Sequence, residues 1–176
     1  MKRHVIGNGC KVILYFAFIF LLTYLLVHYV GQRTVVIGES MEGTLQDADN
    51  LIVDKISYRL HEPKRFDIIV FPYSERENYI KRIIGLPNET VAIDEEGVIY
   101  INGKELEESY GREVIQDAGV ASSQVTLGAD EYFVLGDNRN NSRDSRDSDI
   151  GNIKRKDIIG RAWIRIYPFD KIKVLN

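Results

Sequence analysis

The sequence predicts a mostly β, antiparallel domain preceded by one N-terminal transmembrane helix. Residues 12–30 read VILYFAFIFLLTYLLVHYV, with no Asp, Glu, Lys or Arg. After Gly31 the chain breaks into short runs rich in β-branched and aromatic residues. Turn signals such as Leu86-Pro87-Asn88, Glu96-Gly97, Asn102-Gly103 and Gly136-Asp137-Asn138 separate those runs, and no long amphipathic helical pattern competes with them.

The apolar segment has about the length needed to cross a ~30 Å hydrocarbon core at 1.5 Å per helical residue. A buried core helix would carry a polar stripe, whereas this one is interrupted only by Thr23, tyrosines and His28. A cleavable secretion signal fits less well, because the run is too long and ends without a small-x-small exit. Lys2, Arg3 and Lys11 precede it and only Arg33 follows closely. The positive-inside bias then makes 1–11 a short cytoplasmic tail, 12–30 a single-pass anchor in the cell membrane, and 31–176 an extracytoplasmic domain.

Within that domain strands are expected at 34–37, 50–56, 67–71, 79–84, 91–94, 98–101, 124–127, 132–135, 158–166 and 172–175. Asn102-Gly103 is the turn of a hairpin. The stretch around 103–125 is acidic and poor in apolar periodicity, and reads as a loop-rich excursion from the main sheet.

Composition closes several functional classes. The single cysteine, Cys10, offers no disulfide partner, thiolate cluster or CxxC pair. Formal net charge is -3, and since residues 1–30 hold three cations and no acid, the remainder carries -6. Its Lys and Arg are interspersed with acids rather than gathered on a basic stripe, so nucleic acid is not an expected partner. With three histidines in the whole chain, one in the tail and one in the anchor, paired-histidine zinc sites fail.

The chemistry left to an exposed domain without cysteine is that of serine or threonine, and either needs a base. His61 stands in the polar segment Arg59-Leu60-His61-Glu62-Pro63, which reads as a surface turn, so a Ser-His-Asp triad is disfavoured. Lysine remains, although at its ordinary pKa only about one in 2500 is neutral at pH 7. Bringing that pKa near 7 costs about 4 kcal/mol, which an apolar site can impose by desolvation. In Tyr79-Ile80-Lys81-Arg82-Ile83-Ile84 the strand period puts Lys81 on the face of Tyr79 and Ile83, and Arg82 on the other, so one of the two cations should point inward. Taken alone, such a pair is an ordinary strand-edge charge. Ser40 sits in Gly38-Glu39-Ser40-Met41-Glu42-Gly43-Thr44-Leu45, where flanking glycines permit a sharp turn that aims an N–H at a developing oxyanion.

These two segments, with Leu135-Gly136-Asp137-Asn138-Arg139-Asn140-Asn141-Ser142-Arg143-Asp144-Ser145-Arg146 and the anchor before them, resemble the type I signal peptidases. Arg65-Phe66-Asp67-Ile68-Ile69-Val70-Phe71 and Ile159-Gly160-Arg161-Ala162-Trp163 resemble the family's flanking blocks, so only the excursion lies outside the likeness. The resemblance implies a β-rich catalytic domain related to that of LexA-type self-cleaving repressors. It implies a serine endopeptidase without cofactor that cuts signal peptides from exported preproteins after an A-x-A-like site. Ser40 would be the nucleophile, Lys81 the neutral general base, and the Ser40 N–H an oxyanion donor. Ser142 would orient the Lys81 amine, Asp144 and Arg146 would form a supporting ion pair, and Asp137 would brace the same corner. Two departures stand out: Gly38 replaces the hydroxyl residue many members carry, and Gly43 stands where proline is usual, which predicts a looser nucleophile turn.

Other readings are distinguishable. A calcium loop at 137–149 lacks the sixth-position glycine and distal glutamate of an EF-hand. An inactive paralogue that only binds signal peptides would not need Ser40 and Lys81. A self-cleaving membrane regulator needs an accessible small-x-small segment, for which Asp117-Ala118-Gly119-Val120-Ala121-Ser122 is the one weak candidate.

Overall fold

The computed structural model describes residues 2–25, 31–74 and 77–175. Helix α1 (Lys2–Leu25) comes first. Strands β1 (Gly31–Val35) and β2 (Asn50–Asp54), the single-turn helix α2 (Ser57–Leu60), β3 (Ile68–Pro72) and β4 (Asn78–Gly85) follow. Then come β5 (Thr90–Ile93), β6 (Ile99–Ile101), β7 (Lys104–Glu105), β8 (Val125–Thr126), β9 (Glu131–Leu135), β10 (Ile153–Lys154), β11 (Gly160–Tyr167) and β12 (Lys173–Val174).

In α1 the apolar side chains from Val12 to Tyr24 are exposed, Phe20 to 77%. The expected span at 12–30 is helical as far as Leu25, and its part at 26–30 lies outside the described residues. Among the described residues no helix is long and apolar enough to cross a membrane.

The strands form two antiparallel sheets. The larger runs β1-β2-β11-β3-β4-β9-β10 with β12 beside β11, and the smaller runs β7-β6-β5-β8. The reason β3 lies at the centre is visible in its sequence: Ile68-Ile69-Val70-Phe71 is a continuous apolar run, which suits a strand covered on both faces. Ile68 and Val70 pack with Val36, Met41 and Leu45. Ile69 and Phe71 pack on the opposite face with Tyr58, Ile83 and Tyr132. A third cluster, including Ile84, Val91, Ile101 and Phe133, joins the two sheets.

At the β6–β7 hairpin Asn102 and Gly103 both take positive φ, 51° and 74°, as a type I′ turn requires. β7 is the return arm of that hairpin, whereas β10 and α2, two and four residues long, were not legible in sequence. β1 starts at Gly31 and ends at Val35, releasing Val36 and Ile37 into the loop that carries Ser40.

β4 turns from the large sheet toward the small one at Gly85. A Cβ there would lie 2.6 Å from Val91 Cγ2, 2.7 Å from Leu127 Cδ1 and 3.0 Å from Phe133 Cβ. Gly85→Ala is expected to destabilise the fold by about 1–3 kcal/mol through overpacking of this joint. A urea denaturation midpoint equal to that of the unsubstituted chain would contradict the packing described.

Candidate active site

Lys81 and Arg82 occupy neighbouring positions of β4, opposite Ile69 and Ile68 of β3. Both are buried, at 3% and 0% exposure, which corrects the expectation that only one would turn inward. The cause is that cores cover both faces of β4, with β3 beside residues 78–82 and β9 beside residues 82–85. Arg82 is neutralised: Nε donates to Asp137 Oδ1 at 2.8 Å and Nη2 to Oδ2 at 2.7 Å, both side chains being inaccessible to solvent. Its Nη1 donates to the Phe66 carbonyl at 2.8 Å.

Lys81 is treated differently. Its Nζ lies 2.6 Å from Ser40 Oγ and 5.0 Å from the centre of the Tyr79 ring. No carboxylate makes an ion pair with it among the described residues. Burial pushes the amine down to about 8 from its ordinary 10.5. Asp144 and Asp137 oppose that shift at longer range, and Arg146 assists it.

The serine is held by its neighbours. Met41 (1% exposed) and Leu45 (0%) anchor the turn in the core. The Ser40 carbonyl accepts the Asn138 N–H at 3.1 Å, and Asn138 Nδ2 donates to the Glu39 carbonyl at the same distance. Thr44 Oγ1 donates to Asp137 Oδ2 at 2.6 Å. Gly136 makes this clasp possible, since a Cβ there would fall 2.4 Å from the Ser40 carbonyl oxygen and 2.2 Å from Ser142 Oγ. Among the described residues the Ser40 N–H has no acceptor, so it is free to meet an oxyanion.

Gly38 turns at φ +88° and gives its N–H to Asp47 Oδ1 at 2.8 Å. Gly43 adopts φ +106°, which the proline ring, fixed near about −65°, does not reach. The looseness expected from Gly43 is offset by Met41, Thr44 and Leu45, each tied down on its own.

Asp144 and Arg146 form a buried two-point pair, at 2.8 and 3.0 Å, and Asp144 Oδ2 also accepts the Gly136 N–H at 3.0 Å. The bond expected from Ser142 to the Lys81 amine is not formed: Ser142 Oγ is shielded from solvent and has no hydrogen-bond partner among the described residues. It packs instead against Gly136. The sequence reading missed Thr44, Arg82 and Asn138. The signal for Arg82 was its place beside Lys81, because a second inward cation on a central strand demands a carboxylate.

A 740 Å³ cleft opens onto the pair, between residues 34–38 and 77–81. β9 ends at Leu135 opposite Arg82, so the β4 edge from Asn78 to Lys81 is paired on the β3 side alone among the described residues. Residues 117–122, the candidate self-cleavage segment, are packed rather than extended. Gly119–Ser122 is a 3₁₀ turn, Ala121 is fully buried, and the Val120 N–H donates to the Arg146 carbonyl.

A serine hydroxyl 2.6 Å from a buried lysine amine, at the end of a strand edge unpaired among the described residues, is an arrangement able to support serine–lysine hydrolysis. The model of the signal peptidase family, peptidase S26, matches residues 10–167, and the chain belongs to this family. It is 41% identical to a signal peptidase I of Leptolyngbya laminosa over 84% of this chain and 74% of that protein. It is 40% identical to a signal peptidase I of Bacillus caldolyticus over 80% and 82%, respectively. A signal peptidase I P of Bacillus subtilis subsp. natto is 35% identical over 87% and 86%.

Asp137→Asn keeps the shape of the side chain but leaves the Arg82 guanidinium buried without its counter-charge. A loss of about 3–5 kcal/mol is expected. Thermal unfolding of the variant tests this, and an unchanged midpoint would remove Asp137 from the structural framework.

Proposed function

We propose that the chain is a membrane-anchored serine endopeptidase that removes signal peptides from exported preproteins, with Ser40 as nucleophile and Lys81 as general base. The observation that carries this reading is the 2.6 Å contact between Ser40 Oγ and a lysine amine that is only 3% exposed. Family membership supports the substrate class.

In the active form Lys81 is neutral and the Ser40 hydroxyl donates to Nζ. Substrate enters as an extended strand along the open edge of β4, where main-chain bonds give affinity and the cleft selects small side chains near the scissile bond. Ser40 Oγ attacks the carbonyl carbon as its proton passes to Nζ. The oxyanion accepts the Ser40 N–H. Lys81 then returns the proton to the leaving amine, the C–N bond breaks, and the signal peptide remains as an ester on Ser40. Water, deprotonated by the same amine, attacks that ester; the C–O bond to Ser40 breaks and the serine regains its proton.

Ser40→Ala and Lys81→Ala are each expected to lower processing of a model preprotein by at least about 10³-fold with the fold retained. Survival of activity in either variant removes the dyad. Because protonation of Lys81 blocks the reaction, activity should rise with pH through an apparent pKa of about 8 and level off above it. A profile that is flat between pH 6 and about 10 would contradict the assignment of the base.

We further propose that 12–30 is the anchor, with 1–11 cytoplasmic and 31–176 outside. The exposed apolar side chains of α1 support this. Sharing one bilayer raises the effective concentration of enzyme and preprotein, in the mM range for short tethers. Deleting residues 1–30 should therefore reduce cleavage of membrane-bound preprotein far more than cleavage of a soluble peptide. Equal effects on both would refute the anchor's role.

A further inference from the structure

The segment between β7 and the Gly119–Ser122 turn has no regular structure, yet it is fastened at several points to the back of the catalytic corner. Glu108 pairs with Arg139 at 2.5 Å, and Arg139, 3% exposed, donates through Nε to the Gly136 carbonyl at 3.1 Å. The Tyr110 ring centre lies 3.7 Å from the Arg82 guanidinium and 5.0 Å from the Phe66 ring. The Arg112 N–H donates to the Asp137 carbonyl at 3.0 Å, and its guanidinium pairs with Glu42, two residues after the nucleophile. Farther along, the Gln116 N–H donates to Asn140 Oδ1 at 3.0 Å, and Asn140 Nδ2 donates to the Val114 carbonyl at 2.9 Å.

This distribution is not that of an insertion held by its own core. Ile115 is the one residue from 106 to 118 that is buried. The polar ties instead converge on 136–140, Arg82 and Glu42, which hold Ser40 and the Arg82–Asp137 pair. Neither Tyr110 nor Arg112 lines the cleft.

We propose that residues 108–112 are a positioning strap for the catalytic centre: Tyr110 caps the Arg82–Asp137 pair and Arg112 holds Glu42, so that Ser40 and Lys81 keep their reacting register from the side opposite the substrate. The proposal rests on the reading of Ser40 and Lys81 given above. Asp137 bonds to both Arg82 and Thr44, so a shift of the pair moves the nucleophile turn. Asp137 also acts on the Lys81 amine through space, so loosening its pair with Arg82 leaves more of that negative charge to favour the ammonium, and the amine should become harder to deprotonate.

The test is steady-state cleavage of a preprotein-derived peptide by the full chain in detergent, using Tyr110→Leu, Tyr110→Phe, Arg112→Gln and the exchange Glu42→Arg/Arg112→Glu. Tyr110→Leu and Arg112→Gln should each lower kcat about five- to twenty-fold at pH 7 with KM within about twofold, because the contacts act on the reacting groups and not on substrate binding. Tyr110→Leu should also move the acid limb of the kcat profile upward by about half a pH unit. Tyr110→Phe should behave as the unsubstituted chain, and the charge exchange should recover most of the loss from Arg112→Gln. The strap is overturned by unchanged kcat in Tyr110→Leu and Arg112→Gln, by losses confined to KM, or by losses that follow the unfolded fraction measured by near-ultraviolet circular dichroism. Ser40→Ala assayed alongside separates the two readings, since residual activity there refutes the dyad whatever the strap variants do.

Discussion

The structure depends on one unfavourable placement: a lysine amine buried against a serine hydroxyl with no carboxylate among the described residues to neutralise it. Holding Lys81 at about 8 rather than 10.5 costs ~3 kcal/mol. The unfolded chain binds more protons than the folded one between those values. The penalty is therefore fully present below pH 8 and is relieved as pH rises toward 10.5. Much of the surrounding architecture can be understood as the means by which that cost is sustained without the amine finding a partner.

Among the described residues four cations are buried in this corner; Arg139 pairs with Glu108, and the other three, Lys81, Arg82 and Arg146, are treated in two ways. Arg82 and Arg146 each receive a carboxylate at two points, which fixes Asp137 and Asp144 and directs their charge away from Lys81. Both acids still pull the lysine pKa upward through space, but desolvation outweighs them. An acid rotated onto the amine would create a stable ammonium and raise its pKa. The same two aspartates also carry backbone and hydroxyl ties, from Gly136 and Thr44, so that neutralising the arginines and shaping the nucleophile turn are one construction.

Much of this was legible before the structure. The alternation in Tyr79–Ile84 separated Lys81 from Arg82, the glycine-flanked Ser40 marked a turn, and Asn102-Gly103 marked a hairpin. Alternation predicts one inward cation of the two, whereas burial of both faces of β4 depends on partners distant in sequence, and so both are buried. The resemblance implies Ser142 at the amine; the loop instead turns its hydroxyl onto Gly136, a detail set by the close approach of that glycine to the Ser40 carbonyl. The excursion showed only acidity and missing periodicity. Its role is carried by long-range pairs such as Tyr110 with Arg82, which no local pattern encodes.

The most direct measurement of the central claim is the titration of the Lys81 side chain itself, followed by the Cε carbon shift of isotopically labelled lysine, with Lys81→Met used to assign the resonance. A single lysine should titrate at about 8, apart from the others. A Lys81 resonance that titrates with the surface lysines, near about 10.4, would contradict it.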